Sequence, residues 1–217
     1  MKVKKFISND YFSCNCYVCS INNINFIVDP GCYNKKMKEY IDSINGISFI
    51  LCTHGHYDHI GSIDEIISDY PNTKIYAFED ELDVIYSTSK NLASHCLDRT
   101  KEFKKYVPSP NIIGLMEGNN IIEGISFNLY HTPGHTKGSA IFHFFNEKAI
   151  FFGDTIICES IGRTDLPTAS SSNMTKSLIK IASLNIEKDT VCYFGHGYDM
   201  DYNNLISKNI YLRKYLK

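Results

Sequence analysis

The sequence predicts an α/β fold in which two β-sheets pack face to face and helices cover their outer sides. Three observations predict it. Strand-like apolar runs come in two batches, helical stretches lie between and after them, and four of the runs stop at a His or Asp beside glycine.

The elements follow in order. "YFSCNCYVCSI", Asn22-Asn23 and "INFIVDPG" form a hairpin. "YNKKMKEYIDSI" spaces Met37, Ile41 and Ile44 as one stripe of a helix. "ISFILCT" (47–53) is an unbroken apolar run, the pattern of a strand buried on both faces. Ser62 begins a helix to about Tyr70, with Glu65 at the capping-box position and Pro71 beyond the end. "KIYAF" (74–78) is a strand, and 79–110 reads as mainly helical or irregular. Strands follow at 124–132, 139–145 and 148–154, broken by Pro-Gly and Asn-Glu turns. "SSNMTKSLIKIASL" is a helix, "TVCYFG" (190–195) a strand, and "YNNLISKNIYLRKYL" one closing helix.

Composition narrows the function classes. The 217 residues carry a formal charge of −2, with 43% hydrophobic and 21% charged residues. That balance offers no electrostatic case for a nucleic-acid or anionic-membrane partner. No apolar run approaches the ~18–20 residues that cross a bilayer. The opening "MKVKKFISNDYF" is basic, but Ser8, Asn9 and Asp10 interrupt any signal-peptide core. The expected location is therefore cytoplasmic. The eight cysteines, several inside apolar runs such as "FILCTH" and "TVCYFG", are expected as reduced, buried thiols.

"THGHYDH" (53–59) directly follows the buried run 47–53 and places His54, His56, Asp58 and His59 in a loop at a strand end. Side chains at 54, 56 and 58 can converge on one point, with His59 turned towards a second. His135, Asp154 and His196 stand at or beyond the ends of three other strands, in "HTPGHT", "FFGD" and "FGHG". His131, His95 and His143 are read as structural. In "CNCYVC", Cys14 and Cys16 share a face of an extended strand and Cys19 takes the other, and no second thiol pair completes a metal site.

This set resembles the metallo-β-lactamase superfamily, whose H-x-H-x-D-H motif appears as His54, His56, Asp58 and His59. "NCYV" (15–18) and "IVDPG" (27–31) resemble its opening hairpin, and "SIGRTDLP" (160–167) is similar to a segment of small glyoxalase II-like (hydroxyacylglutathione hydrolase-like) members. The resemblance implies an αββα sandwich. It implies one metal ion on His54, His56 and His135, a second on Asp58, His59 and His196, and Asp154 between them. Asp58 is also assigned to catalysis. An aspartate at 154, where zinc β-lactamases usually carry cysteine among the ligands, argues against antibiotic hydrolysis. Only 21 residues follow His196, so one domain over 1–217 is expected, without the helical C-terminal substrate domain of full-length glyoxalase II. "TASSSN" and "FGHGYD" also depart from the family pattern.

Seven nitrogen and oxygen ligands without thiolate suit two divalent ions, zinc first, with iron or manganese also compatible. Two such ions carry +4, and Asp58 with Asp154 returns −2, which leaves the site receptive to an anionic substrate. Hydroxide generated at the metals at neutral pH would attack a thioester such as S-lactoylglutathione. Its thiol, with a pKa of ~8.5, leaves without a general acid. Arg163 is the candidate for a substrate carboxylate, with an Arg163–Asp165 loop brace as the competing reading. The alternatives are an iron-dependent persulfide dioxygenase, a lactonase, or a metal-binding protein without catalysis on the same scaffold.

Overall fold

The computed structural model describes residues 1–9, 12–96 and 107–216. The first sheet holds β1 (Lys2–Ile7), β2 (Asn15–Ile21), β3 (Ile24–Val28), β4 (Phe49–Cys52), β5 (Lys74–Phe78) and β6 (Ile113–Leu115), side by side in chain order. The second holds β7 (Gly118–Ile122), β8 (Ile125–His131), β9 (Ala140–Phe144), β10 (Ala149–Phe151), β11 (Val191–Tyr193) and β12 (Met200–Asp201), also in chain order. Each sheet begins as an antiparallel meander and includes parallel pairs, β3–β4–β5–β6 in the first and β10–β11 in the second.

The inner faces meet in an aromatic core. Phe26 of β3 stacks on Phe49 of β4 at 4.7 Å and reaches Phe144 of β9 at 5.5 Å between centroids. Tyr17 of β2 meets Phe151 of β10 edge-on. Such pairs fix the facing of the sheets as well as removing apolar area from water. Helices α1 (Lys35–Ser43), α2 (Tyr57–Ile60) and α3 (Ile63–Asp69) lie on the first sheet, whose outer residues Val18, Ile27 and Ile50 pack with Met37, Ile41, Ile60 and Ile63. Two short helices, α4 (Leu82–Ile85) and α5 (Ala93–Cys96), follow β5. Helices α6 (Ser171–Ser183), α7 (Tyr202–Lys208) and α8 (Ile210–Arg213) cover the second sheet through Met174, Leu178, Ile181, Leu205 and Leu212. The four layers are therefore helix, sheet, sheet, helix.

Most predicted elements stand within a few residues of their expected limits. Asn22 and Asn23 both adopt positive φ, +48° and +65°, as a two-residue hairpin of right-handed twist requires. Several details differ from expectation. The basic opening is an edge strand, β1, paired with β2 from Lys2↔Ser20 to Ile7↔Asn15. Lysines at such an edge discourage further pairing. β6, β7 and β12 are too short or too polar for a periodic signal. Ser62 precedes α3 without a side-chain cap bond; the nearby Asp64 carboxylate instead accepts from Ser109 N.

The closing helix is two helices because Asn209 leaves helical geometry at φ −77°, ψ 104°. Its side-chain Oδ1 accepts from Tyr211 N and Leu212 N, and its Nδ2 donates to Cys158 O and Ser160 O. Part of the 79–110 stretch, 97–106, lies outside the described residues, as does the side chain of His95. Seven cysteines are free among the described residues. No helix among them is long and apolar enough to cross a membrane.

Candidate metal centre

The site lies at one end of the sandwich, where loops from both sheets meet. β4 is buried at every position and ends at Cys52. Thr53 then turns the chain: its N–H and hydroxyl both donate to Asp29, at 2.7 Å each. Asp29 follows β3 with a φ of +53° and is itself buried. This junction aims His54 and His56 inward, and α2 supplies Asp58 and His59 from its single turn. From the second sheet, the loop after β8 supplies His135, the end of β10 leads to Asp154, and the end of β11 leads to His196.

The structure brings all seven sequence-derived residues together. His54, His56 and His135 each place a ring nitrogen within 4.8 Å of the others, and Asp58, His59 and His196 form a second such group. Asp154 lies between the groups, with Oδ2 3.4 Å from both His135 Nε2 and His196 Nε2 and Oδ1 3.6 Å from His59 Nε2. Gly195 makes this approach possible: a Cβ there would stand 2.1 Å from Asp154 Oδ1.

Hydrogen bonds set the tautomers. His135 Nδ1 donates to Arg163 O at 2.9 Å, which leaves the Nε2 lone pair facing the cluster. The Thr53 hydroxyl proton is committed to Asp29, so Thr53 Oγ1 accepts from His54 Nδ1 at 3.1 Å and His54 Nε2 is free. His59 Nδ1 donates to Asp29 Oδ2 at 3.0 Å, which turns Nε2 towards the cluster. Fixing one imidazole nitrogen so that the other can ligate is how outer partners tune metal sites.

The donor set fits metal ions by an observation of its own. His54 Nε2 and Asp154 Oδ1 are buried without a hydrogen-bond partner, and stranding such atoms is costly unless something else satisfies them. The charge pattern agrees. Burial, with neighbouring imidazoles, holds His54 far below the usual histidine range and His56 down to about 3. Burial would also lower His59 and His196, but Asp58 and Asp154 overcome it and raise them to about 9 and about 11. Reciprocally, against burial, His59 and His196 hold the Asp58 and Asp154 carboxyls below their ordinary value. In the second group, protons occupy the role a cation would take.

Arg163 is placed differently from a free substrate clamp. Its guanidinium forms a two-bond fork with Asp165 in an exposed loop, Nε to Oδ1 and Nη2 to Oδ2 at 2.9 Å. Its contact with the centre is through its backbone carbonyl. His131 Nε2 donates to Lys137 O and the ring stacks on Phe78, outside the cluster. His143 is buried beside Phe145.

Several residues that matter here carried no assigned role in the sequence reading. Asp29 stood in the quoted "IVDPG", yet nothing local shows that it reaches His59. Asn15 donates from Nδ2 to Phe194 O and Gly197 O, tying the His196 loop to the first sheet, and Lys5 donates to Gly197 O from β1. Glu81 accepts from Gly55 N and Gly138 N. Cys14, read as purely structural, lies with Sγ 3.5 Å from His59 Nδ1, and burial followed by the nearby aspartates pushes its thiol well up.

Comparison with known proteins agrees with this geometry. A probable metallo-hydrolase of Streptococcus pyogenes serotype M6 is 30% identical over 200 residues, covering 91% of this chain and 84% of the relative. A hydroxyacylglutathione hydrolase of Pelagibacter ubique is 31% identical over 179 residues, covering 81% of this chain and 62% of the relative. Among solved structures, the BLEG-1 B3 metallo-beta-lactamase superposes with a TM-score of 0.83 at 25% identity, covering 97% of this chain and 99% of that one. TTHA1623 in a di-iron-bound form shares the fold, with a TM-score of 0.81 at 24% identity, over 96% of this chain and 100% of that one. The sequence profile described as "Metallo-beta-lactamase superfamily" matches residues 9–196. A match ending on His196, over two stacked sheets that gather both histidine groups, makes this chain a member of the metallo-beta-lactamase superfamily.

Proposed function

We propose that this chain is a cytoplasmic, single-domain thioester hydrolase acting on a small acyl-thiol such as S-lactoylglutathione. The observation that carries the reading is a cluster of seven nitrogen and oxygen donors, in which His54 Nε2 and Asp154 Oδ1 are buried and unpartnered. His54, His56 and His135 would hold one divalent ion and Asp58, His59 and His196 the other, with Asp154 shared and zinc the first choice. When bound, such ions supply Lewis acidity that brings water's pKa towards neutrality and polarises a carbonyl.

The chain's own groups then have defined tasks. Asp29, Thr53 and the Arg163 carbonyl hold three imidazoles in their ligating tautomers. Asp58, the residue assigned to catalysis, is kept ionised by His59 and His196, so a carboxylate able to accept a proton from water stands in the second group. A thiol leaves as thiolate near neutral pH, so the reaction needs no further proton donor. Arg163 can turn its exposed guanidinium to a substrate carboxylate by exchanging one carboxylate partner, Asp165, for another. The hydroxyacylglutathione hydrolase relative supports the substrate class.

An all-nitrogen-and-oxygen donor set also accepts Fe(II), so oxygen-dependent persulfide chemistry is the competing reading. One experiment separates them. The zinc-loaded protein, with oxygen excluded, is expected to release thiol from S-lactoylglutathione. A zinc form inert towards the thioester, with an iron form that consumes oxygen on glutathione persulfide, would overturn the hydrolase reading.

A further inference from the structure

Glu81 carries a fully buried carboxyl group, 0% exposed, in the turn between β5 and α4; burial pushes it up to about 8, against the pull of its N–H donors. Buried to this degree it cannot reach substrate. Its two oxygens face different loops. Oε1 accepts from Gly55 N at 2.7 Å, and Gly55 is the residue between His54 and His56. Oε2 accepts from Gly138 N at 2.8 Å, three residues beyond His135. The glycines are what admit it. A Cβ at Gly138 would lie 2.4 Å from Glu81 N, and one at Gly55 would lie 2.7 Å from Ile85 Cγ1.

We propose that Glu81 is a positioning residue for the first metal-binding group, setting the separation between the His54–His56 loop and the His135 loop. These loops come from different sheets, and the separation at stake is short: His56 Nδ1 lies 2.9 Å from His135 Nε2. Both bonds are short and buried, and they reach loops of different sheets. Two of them from one side chain make a rigid strut. The second group is braced by other residues, Asp29 at His59 and Asn15 at the His196 loop. Glu81 therefore acts on one group and not on the other.

The test uses metal-free protein and zinc alone, titrated against a chelating indicator so that two uptake steps are resolved. E81Q keeps the shape but turns an amide NH2 towards one of the two backbone N–H donors. The step belonging to His54, His56 and His135 is expected to weaken by about 10–100-fold, the usual loss when an outer partner is removed. The other step should stay within twofold of wild type. Equal weakening of both steps, or none, would overturn the proposal. If E81Q does not fold without metal, amide exchange in metal-free wild type decides. Slow exchange at both Gly55 and Gly138 supports the strut, and exchange at exposed-loop rates at either overturns it. The inference rests on the two-metal reading, yet the failures differ. Wild type without two uptake steps removes that reading, whereas two normal steps in both proteins remove only the role of Glu81.

Discussion

Asp29 Oδ2 lies 3.0 Å from His59 Nδ1, and the same oxygen accepts the Thr53 hydroxyl at 2.7 Å. One carboxylate thus couples the tautomer of His59 in the second group to that of His54 in the first, through Thr53. Asp29 also accepts from Thr53 N, so its two oxygens hold the strand end from which the whole histidine motif departs.

Asp29→Asn should therefore weaken metal uptake at both groups. An amide offers one acceptor oxygen and turns its NH2 towards donors that cannot accept. The expected loss is about 10–100-fold, larger at the group containing His59. Zinc titration of the metal-free protein measures it. Unchanged affinity at both groups would show that the rings are held by other contacts.

The two groups should fill with different pH dependence. His56 is held down to about 3, and His54 is also far below its usual value, so their nitrogens are free of extra protons near neutrality. His59 and His196 are raised to about 9 and about 11 and must lose protons to bind a metal. Uptake by the second group should rise by ~10-fold per pH unit for each proton displaced, the His59 share levelling off at about pH 9 and the His196 share at about pH 11, while the first group changes little. Proton release measured by calorimetry in buffers of different ionisation enthalpy checks this. The fold itself should respond in the opposite sense. Folded-state values above the ordinary histidine 6.5 stabilise the metal-free protein below that pH, and the contribution is lost as pH rises through about 9 for His59 and about 11 for His196.

Cys19 and Cys14 should separate. Cys19 lies in the core between the sheets, so Cys19→Ser buries a hydroxyl and should cost about 1–3 kcal/mol without changing metal content. Cys14 touches His59. Cys14→Ser should keep the fold, yet it puts a stronger hydrogen-bonding group beside Nδ1, in competition with Asp29. Second-group affinity is expected to fall several-fold. Denaturant unfolding and zinc titration of the two single variants distinguish these outcomes.

Asn209→Ala removes the α8 cap and leaves Cys158 O and Ser160 O without their donor. A loss of about 2 kcal/mol is expected, seen as a lower denaturation midpoint with unchanged zinc stoichiometry. No loss would show that water replaces both roles.

The sequence by itself determined the strand runs, the four strand ends and the residues that stand there. These features follow from periodicity over a few neighbouring positions: Phe49–Cys52 is apolar throughout, and His54 follows two residues later. It also placed the helical stripe of Met37 and Ile41. Tertiary structure alone decided the partners. Asp29 meets His59 across 30 residues, Glu81 meets Gly55 across 26 and Gly138 across 57, and Asn15 meets Phe194 across 179. A buried carboxylate has no local signature, because its stability comes from donors delivered by other segments. The basic opening strand was hidden for the same reason. β1 is an edge with little apolar alternation, specified mainly by its ladder with β2. The tautomers were decided last, since a ring nitrogen becomes a ligand only when something distant in sequence takes the proton on the other.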